Sequence, residues 1–331
     1  MKRRYRAVAG TALAAALLLT GACGAGESSG AGGDKKTIKV GVALAGPRND
    51  KAFYQTYLEG VTQNAEAMHL KVSVVDNLTD PQQITDALTN LAADNDIVIG
   101  GGSALVAGAN AIAANYPDTT FVMSGAVKEG IPNLHAYMML QGVPAYVAGA
   151  VAAGQTKSGK VGFIGGAQIP PTSQSDIDFK AGAQSVNPNI GYATVTVGSF
   201  SDAPKAKAAA AAQITEGVDV IYAFVDAGLP GVIQAIEESG KDVKVFNPTT
   251  DRCNESQHIV GFDYQNNQQL VTVILQDYLA KKLPTGTKKY ALQDPKIQKL
   301  TMCPGSAGLQ AKADEVAAKI NAGEITMPTG G

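Results

Sequence analysis

Short runs that are apolar on both faces, each followed by a longer helical pattern, constrain this chain more than any other feature. One set lies at 38–45, 71–75, 96–100 and 120–124, and a second at 160–165, 192–197, 219–224 and 243–247. Stretches such as VGVALA, DIVIG, KVGFIG and DVIYAF offer no polar face to water. Strands buried on both sides belong to parallel sheets covered by helices. Helical patterns fall between them at 52–68, 80–93, from 202 onward, 265–282 and 307–322. Asp80-Pro81 and Asp202-Ala-Pro supply an N-cap followed by a proline in the first turn. Alternation of this kind predicts a doubly wound α/β fold, and two sets of strands predict two such sheets.

The N-terminus carries an address. Lys2, Arg3, Arg4 and Arg6 precede an apolar run at 7–19, too short to span a bilayer, which takes about 20 residues. Leu19-Thr20-Gly21-Ala22-Cys23 resembles a bacterial lipobox, with Thr20 where an aliphatic residue is usual. The expectation is a signal peptide over 1–22, lipid on Cys23, and anchorage on the outer face of the cell membrane. The alternatives are a cleaved peptide without lipid and an uncleaved anchor. GAGESSGAGGDKK at 24–36 is too poor in apolar residues to pack, and reads as a tether with a reach of roughly 20 Å.

Removing the signal takes the formal charge from −2 to −6, because its four basic residues leave with no acid. An acidic chain lacks the basic face that nucleic acid requires, so no nucleic-acid partner is expected. About 295 residues follow the tether, more than one typical core holds, so two lobes are expected. Of three cysteines, Cys253 and Cys303 remain if Cys23 is lipidated. Outside the cytoplasm they form a reasonable disulfide; the alternative is two unrelated buried thiols.

In open α/β sheets, ligands bind beyond the carboxyl ends of the strands. The residues there are the candidates. After the first strand come Asn49 and Asp50, either of which can cap the next helix, then Phe53, Tyr54 and Tyr57. Phe53 and Tyr57 share one helix face, as a ligand platform or as two core aromatics. Gly100-Gly-Gly-Ser103 lets backbone approach a ligand, or makes a tight turn. Ser124, Phe224, Asp226 and Asp251 follow other strands. Phe224 can stack on a flat ligand, and the carboxylates can accept hydrogen bonds. Each alone is as readily structural; their shared location gives the set its weight.

Catalytic and metal patterns are missing. His69, His135 and His258 have no ligand spacing with one another or with a cysteine, and no GxSxG, HExxH, CxxC or Walker A motif occurs. The stretch from Gly100 to Gly102 continues to Leu105, so it fails as a dinucleotide fingerprint. Neither enzyme activity nor a cofactor or metal is expected.

Several stretches resemble the basic membrane protein family of lipoproteins. They are Asp50-Lys-Ala-Phe53-Tyr54-Gln55 with Tyr57-Leu-Glu-Gly60, Gln141-Gly142 with Ala148-Gly149, and Gly159-Lys-Val-Gly-Phe-Ile-Gly-Gly166. Gly198-Ser-Phe-Ser-Asp202, Gly217-Val-Asp-Val-Ile-Tyr222 and Ile320-Asn-Ala-Gly-Glu-Ile-Thr-Met-Pro328 complete the set, which covers essentially 37–328. The resemblance implies a type I periplasmic-binding-protein fold with three crossovers. It places lobe 1 at 37–142 with about 248–283, and lobe 2 at 143–247 with about 284–331. It further implies a monomeric substrate-binding component of an ABC importer, holding a small molecule such as a nucleoside or similar heterocycle and docking on a membrane permease. A surface receptor that signals instead uses the same fold. In the nucleoside-binding branch aromatics sandwich the base and carboxylates hold the ribose; Asp50, Phe53 or Tyr57, and Phe224 stand at matching positions. The chain departs from the family at Tyr54, where Asn is usual, and at Ser124, where Asp is frequent. Asn247-Pro-Thr-Thr-Asp251-Arg-Cys-Asn replaces Gly-x-Asp-x-Asp-Gln, and an expected lysine has no counterpart near Gly261 to Tyr264. Cys253 lies in this divergent loop, where a bridge to Cys303 would brace a segment near the hinge.

Overall fold

The computed structural model describes residues 37–329, which belong to one compact unit. The signal, Cys23 and the tether lie outside the described residues. Two six-stranded sheets carry the fold. The first contains β1 (Ile38–Leu44), β2 (Leu70–Val75), β3 (Ile97–Gly101), β4 (Thr120–Met123), β5 (Leu134–Met139) and β11 (Gly286–Tyr290), in the order β11-β5-β4-β3-β1-β2. The second contains β6 (Lys160–Gly165), β7 (Gly191–Thr196), β8 (Val220–Phe224), β9 (Lys244–Thr249), β10 (Ile259–Gln265) and β12 (Gln298–Met302), in the order β12-β10-β9-β8-β6-β7. Within these sheets every pairing is parallel except β10 with β12.

Helices cover both faces of each sheet, as strands without a polar side require. On the first, α2 (Pro81–Asp94) and α3 (Val106–Ile112) pack on one side, and α1 (Phe53–Thr62) and α8 (Asn267–Leu279) on the other. On the second, α4 (Gly142–Gln155), α5 (Pro170–Val186) and α9 (Gln310–Asn321) face α6 (Ala203–Thr215) and α7 (Leu229–Ser239) across the strands. The caps act as expected: Asp80 accepts from Gln82 N at 2.9 Å and Gln83 N at 3.0 Å, and Asp202 from Lys205 N at 3.0 Å. α1 stops at Thr62, well short of 68, because the Asn64 side chain donates to Gly60 O at 2.8 Å and to Thr272 Oγ1 of α8 at 2.8 Å. α4 and α5 approach until backbones touch. A Cβ on Gly149 would lie 2.0 Å from Phe179 O, and one on Gly182 2.0 Å from Tyr146 O.

Three crossovers join the lobes side by side, at Leu140–Gln141, at Asn266 and through 291–297. Leu140 N donates to Tyr290 O at 2.7 Å, Asn266 N donates to Ile297 O at 2.7 Å, and Gln141 Nε2 donates to Gln265 Oε1 at 3.1 Å. The lobe boundaries differ from expectation at two places. The stretch expected to return to lobe 1 at about 248 first adds β10 to lobe 2's sheet, because Phe262 and Asp263 pair with Asn247 and Pro248 of β9. The stretch expected to enter lobe 2 at about 284 first adds β11 to lobe 1, paired with β5. Both strands went unrecognised in the sequence, so both crossovers fall later.

Between β9 and β10, two parallel neighbours, no helix intervenes. Parallel strands ordinarily need a helical crossover. Here 250–258 runs as an irregular segment, and the Cys253–Cys303 disulfide, with Cα atoms 5.5 Å apart, fastens it beside β10. Cys303 N donates to Val260 O at 2.9 Å, so the bridge ends on the sheet itself.

Candidate functional site

The candidate residues lie at or beyond the carboxyl ends of strands in both sheets. From lobe 1, Asp50 closes the turn before α1. Its carboxylate accepts from Ala52 N and Gln55 N, each at 3.0 Å, and from Tyr54 N at 3.1 Å, so Asp50 rather than Asn49 caps the helix. The Tyr54 ring lies over two glycines at strand ends: a Cβ on Gly46 would sit 2.2 Å from it, and one on Gly102 3.2 Å. Burial, then the carboxylates of Asp50 and Asp226, push the Tyr54 hydroxyl up to about 12. Asp50 precedes α1 of lobe 1 and Asp226 follows β8 of lobe 2, so carboxylates from both lobes act on Tyr54.

Asp226 follows β8 with a positive φ of 41°, a conformation aspartate tolerates better than most residues. Loss of hydration, then the Asp50 charge, push its carboxyl up to about 7, while Arg252 opposes the rise. Beside it, Phe224 is 5% exposed and its ring stands 5.9 Å from that of Phe200, tilted by 52°. Phe200 in turn covers Gly166, where a Cβ would meet its ring at 2.2 Å. Thr249, at the end of β9, holds φ at 77°, a strained value for a β-branched residue. The Asn247 side chain locks that corner by donating to Pro248 O at 3.0 Å and Thr250 O at 2.9 Å.

The remaining candidates are distributed around this centre. Ser124 Oγ accepts from Gly102 N at 2.6 Å, and half-buried Ser103 opens the next turn beside Gly125. Half-buried Phe53 stacks on Tyr57 at 5.5 Å and meets Tyr54 edge-on at 5.4 Å. Tyr57 departs from expectation: it is fully buried in the lobe 1 core, because its position on α1 turns the ring toward the sheet and α8. Asn49 and Asp251 are exposed at the rim, and Asp251 accepts from Cys253 N at 2.9 Å.

Sequence reasoning missed Phe200, Thr249 and the hinge glutamines. Phe200 sits in the quoted Gly198-Ser-Phe-Ser-Asp202 stretch, but a loop aromatic has no periodicity to reveal its direction. At the hinge, Asp263 is fully buried and accepts from Gln265 Nε2 at 2.7 Å. Burial pushes its carboxyl up to about 7, with Gln265 and Gln298 pulling the other way. An open groove of about 730 Å³ over β2 and α2, rimmed by Lys71, Asp76, Gln83 and Asp86, contains none of the candidate residues. Among the described residues, no group of three or more His, Cys, Asp or Glu could hold a metal ion, and no helix is long and apolar enough to cross a membrane.

The raised carboxyls of Asp226 and Asp263 contribute to a pH dependence. A carboxyl that holds its proton more tightly when folded binds more protons in the native state, so stability falls as pH rises. For Asp226 and Asp263 that fall runs from about pH 4 to about pH 7 and then levels off. The Tm of the ligand-free protein should therefore rise as pH is lowered from 8 to 6. Melting curves of Asp226→Asn and Asp263→Asn over that range should each show a shallower rise; slopes equal to the parent's would contradict the assignment.

A profile of the Bmp family, described as ABC transporter substrate-binding protein PnrA-like, matches residues 37–294. The ABC transporter nucleoside-binding protein BmpA of Lactococcus lactis subsp. cremoris (strain MG1363) is 33% identical over 228 residues, 67% of this chain and 65% of the relative. The chain thus spans just under two thirds of that relative's length. A purine-binding protein of Brucella abortus (strain 2308) is 26% identical over 314 residues, 91% of this chain and 86% of the relative. In three dimensions, a solute-binding protein of an ABC transporter system from Aeropyrum pernix K1 superposes with a TM-score of 0.76, at 18% identity, over 87% of this chain and 92% of that one.

Proposed function

Because the chain belongs to the Bmp family of PnrA-like ABC transporter substrate-binding proteins, with the two-lobed fold of type I periplasmic binding proteins, we propose that its interlobe cleft captures a nucleoside or a similar flat heterocycle. What supports this reading is that carboxylates from both lobes, Asp50 and Asp226, act on Tyr54, with the Phe200–Phe224 pair close in sequence to Asp226. Aromatic faces stack on a planar ring, and carboxylates accept from its hydroxyl or amino groups. Phe53, Ser103 and Ser124 line the lobe 1 wall, with Asn49 and Asp251 at the rim.

Capture would proceed by rotation about the three crossovers, with the lobes closing over the ligand. The closed form docks on a membrane permease of an ABC importer. Lipid on Cys23 and the tether at 24–36 keep the monomeric domain near that permease, on the outer face of the membrane. The names of the Lactococcus and Brucella relatives support the ligand class; the acidic cleft supports a neutral or cationic ligand over an anion.

A thermal-shift panel of purine and pyrimidine nucleosides, free bases, ribose and small amines tests the ligand class. A ligand that binds only the folded state stabilises by about 2.7 kcal/mol at a hundredfold excess over Kd, which moves the Tm of a chain this size by about 5 °C. Such a shift with one or more nucleosides is expected. Shifts confined to ribose or amines would overturn the heterocycle reading.

A further inference from the structure

The segment at 250–258 ends its strap at the cleft. Arg252, immediately before Cys253, sends its guanidinium back under the β8 corner, where Nη1 donates to the Asp226 carbonyl oxygen at 2.6 Å. Its other edge is held by Glu255, with Nε to Oε1 at 2.8 Å and Nη2 to Oε2 at 2.6 Å. The Arg252 side chain is 17% exposed and that of Glu255 50%, so the pair screens the guanidinium from solvent on one side and leaves it against Asp226 on the other. The loop that presents Arg252 has no helix to stiffen it; next to the arginine, the Cys253–Cys303 bridge fixes it to the sheet.

We propose that Arg252 is a positioning residue for the ligand cleft, held by the Cys253–Cys303 strap so that it fixes the Asp226 corner. Through that contact an intact bridge influences how readily the Asp226 carboxyl gives up its proton. The titratable groups coupled electrostatically to Asp226 are Asp50 and Tyr54 from lobe 1, Tyr222 of β8 and Arg252. Of these Arg252 alone is cationic, and it opposes the effects of burial and of Asp50. Loosening the strap weakens the opposing charge, and the Asp226 carboxyl then holds its proton to a higher pH than in the parent. The consequence for binding rests on the reading of Asp226 as a ligand contact, but the device can be tested without any ligand.

The test follows the Asp226 side-chain carboxyl by carbon NMR through a pH titration of the ligand-free protein. The parent should titrate near pH 7. In Arg252→Gln, which keeps the bridge, the midpoint should rise by about one pH unit, the effect of losing a neighbouring cation. Cys253→Ser with Cys303→Ser should raise it in the same way, and adding Arg252→Gln to that pair should raise it no further. Cys253→Ala with Cys303→Val provides a second, apolar pair in case the serines fail to fold. An unchanged midpoint in Arg252→Gln would overturn the positioning role. An unchanged midpoint in a folded cysteine pair would overturn the strap, and so would failure of both pairs to fold, which would make the bridge a folding requirement. No outcome depends on nucleoside binding, so failure of the ligand assignment would remain distinguishable.

Discussion

Replacing Phe224 with alanine should cost the protein both its ligand and a substantial part of its stability. The residue ends β8 inside the lobe 2 core, 5% exposed, with Phe200 leaning on its ring. Truncating a buried phenylalanine removes its transfer energy and leaves a cavity, typically about 3–5 kcal/mol in total. Loss of a stacking surface for a planar ring weakens binding by a further ~1–3 kcal/mol, about 5- to 150-fold in Kd. A urea denaturation curve reads the first effect and calorimetric titration reads the second. Phe224→Leu separates them: it should recover most of the stability but little of the affinity. Full affinity in Phe224→Leu would mean that the ring fills the core without touching the ligand.

The second large effect concerns the disulfide. Cys253 and Cys303 are 50 residues apart, and closing a loop of that size removes about 4 kcal/mol of chain entropy from the unfolded state. Replacing both with serine should therefore lower unfolding stability by about 2–4 kcal/mol. The serines also add two hydroxyls to a mostly apolar neighbourhood that includes Ile259 and Phe262. The damage should start locally, in 250–258, because no helix holds that crossover in place. Denaturation of the serine pair beside the parent measures the cost. A loss well under 1 kcal/mol would show that the loop is held by its own packing and hydrogen bonds.

Much of the fold could be read from the chain because its strands are short, apolar on both faces and separated by capped helices. Asp80, Pro81 and Asp202 announced α2 and α6 accurately, since a cap is a local interaction and needs no knowledge of the partner. α4 escaped notice for the opposite reason. Its residues from Gly142 to Ala152 are buried all round, so no amphipathic period marks it. β10 and β11 were missed because their character comes from their neighbours. β11 is GTKKY, a polar edge strand that pairs only with β5, and β10 follows a loop without the usual intervening helix.

The positions of the candidate residues were legible more than their orientations. Asp50, Phe224 and Asp226 could be placed at or beyond strand ends, because strand ends are fixed by topology, and topology follows from the pattern. Which way a side chain turns is decided by packing. Tyr57 and Tyr54 are three residues apart on one helix, yet Tyr57 enters the core while Tyr54 lies over Gly46 and Gly102 at the cleft. Arg252 gains its role only through a fold that brings 252 beside 226, a contact no local pattern contains.

Hydrogen exchange with and without the compound that gives the largest thermal shift tests the central claim most directly. Capture between the lobes predicts slowed exchange on both sides of the cleft at once, over 46–57 and 100–103 in lobe 1 and over 224–228 and 247–252 in lobe 2. Protection confined to one lobe, or centred on the groove over β2 and α2, would contradict it.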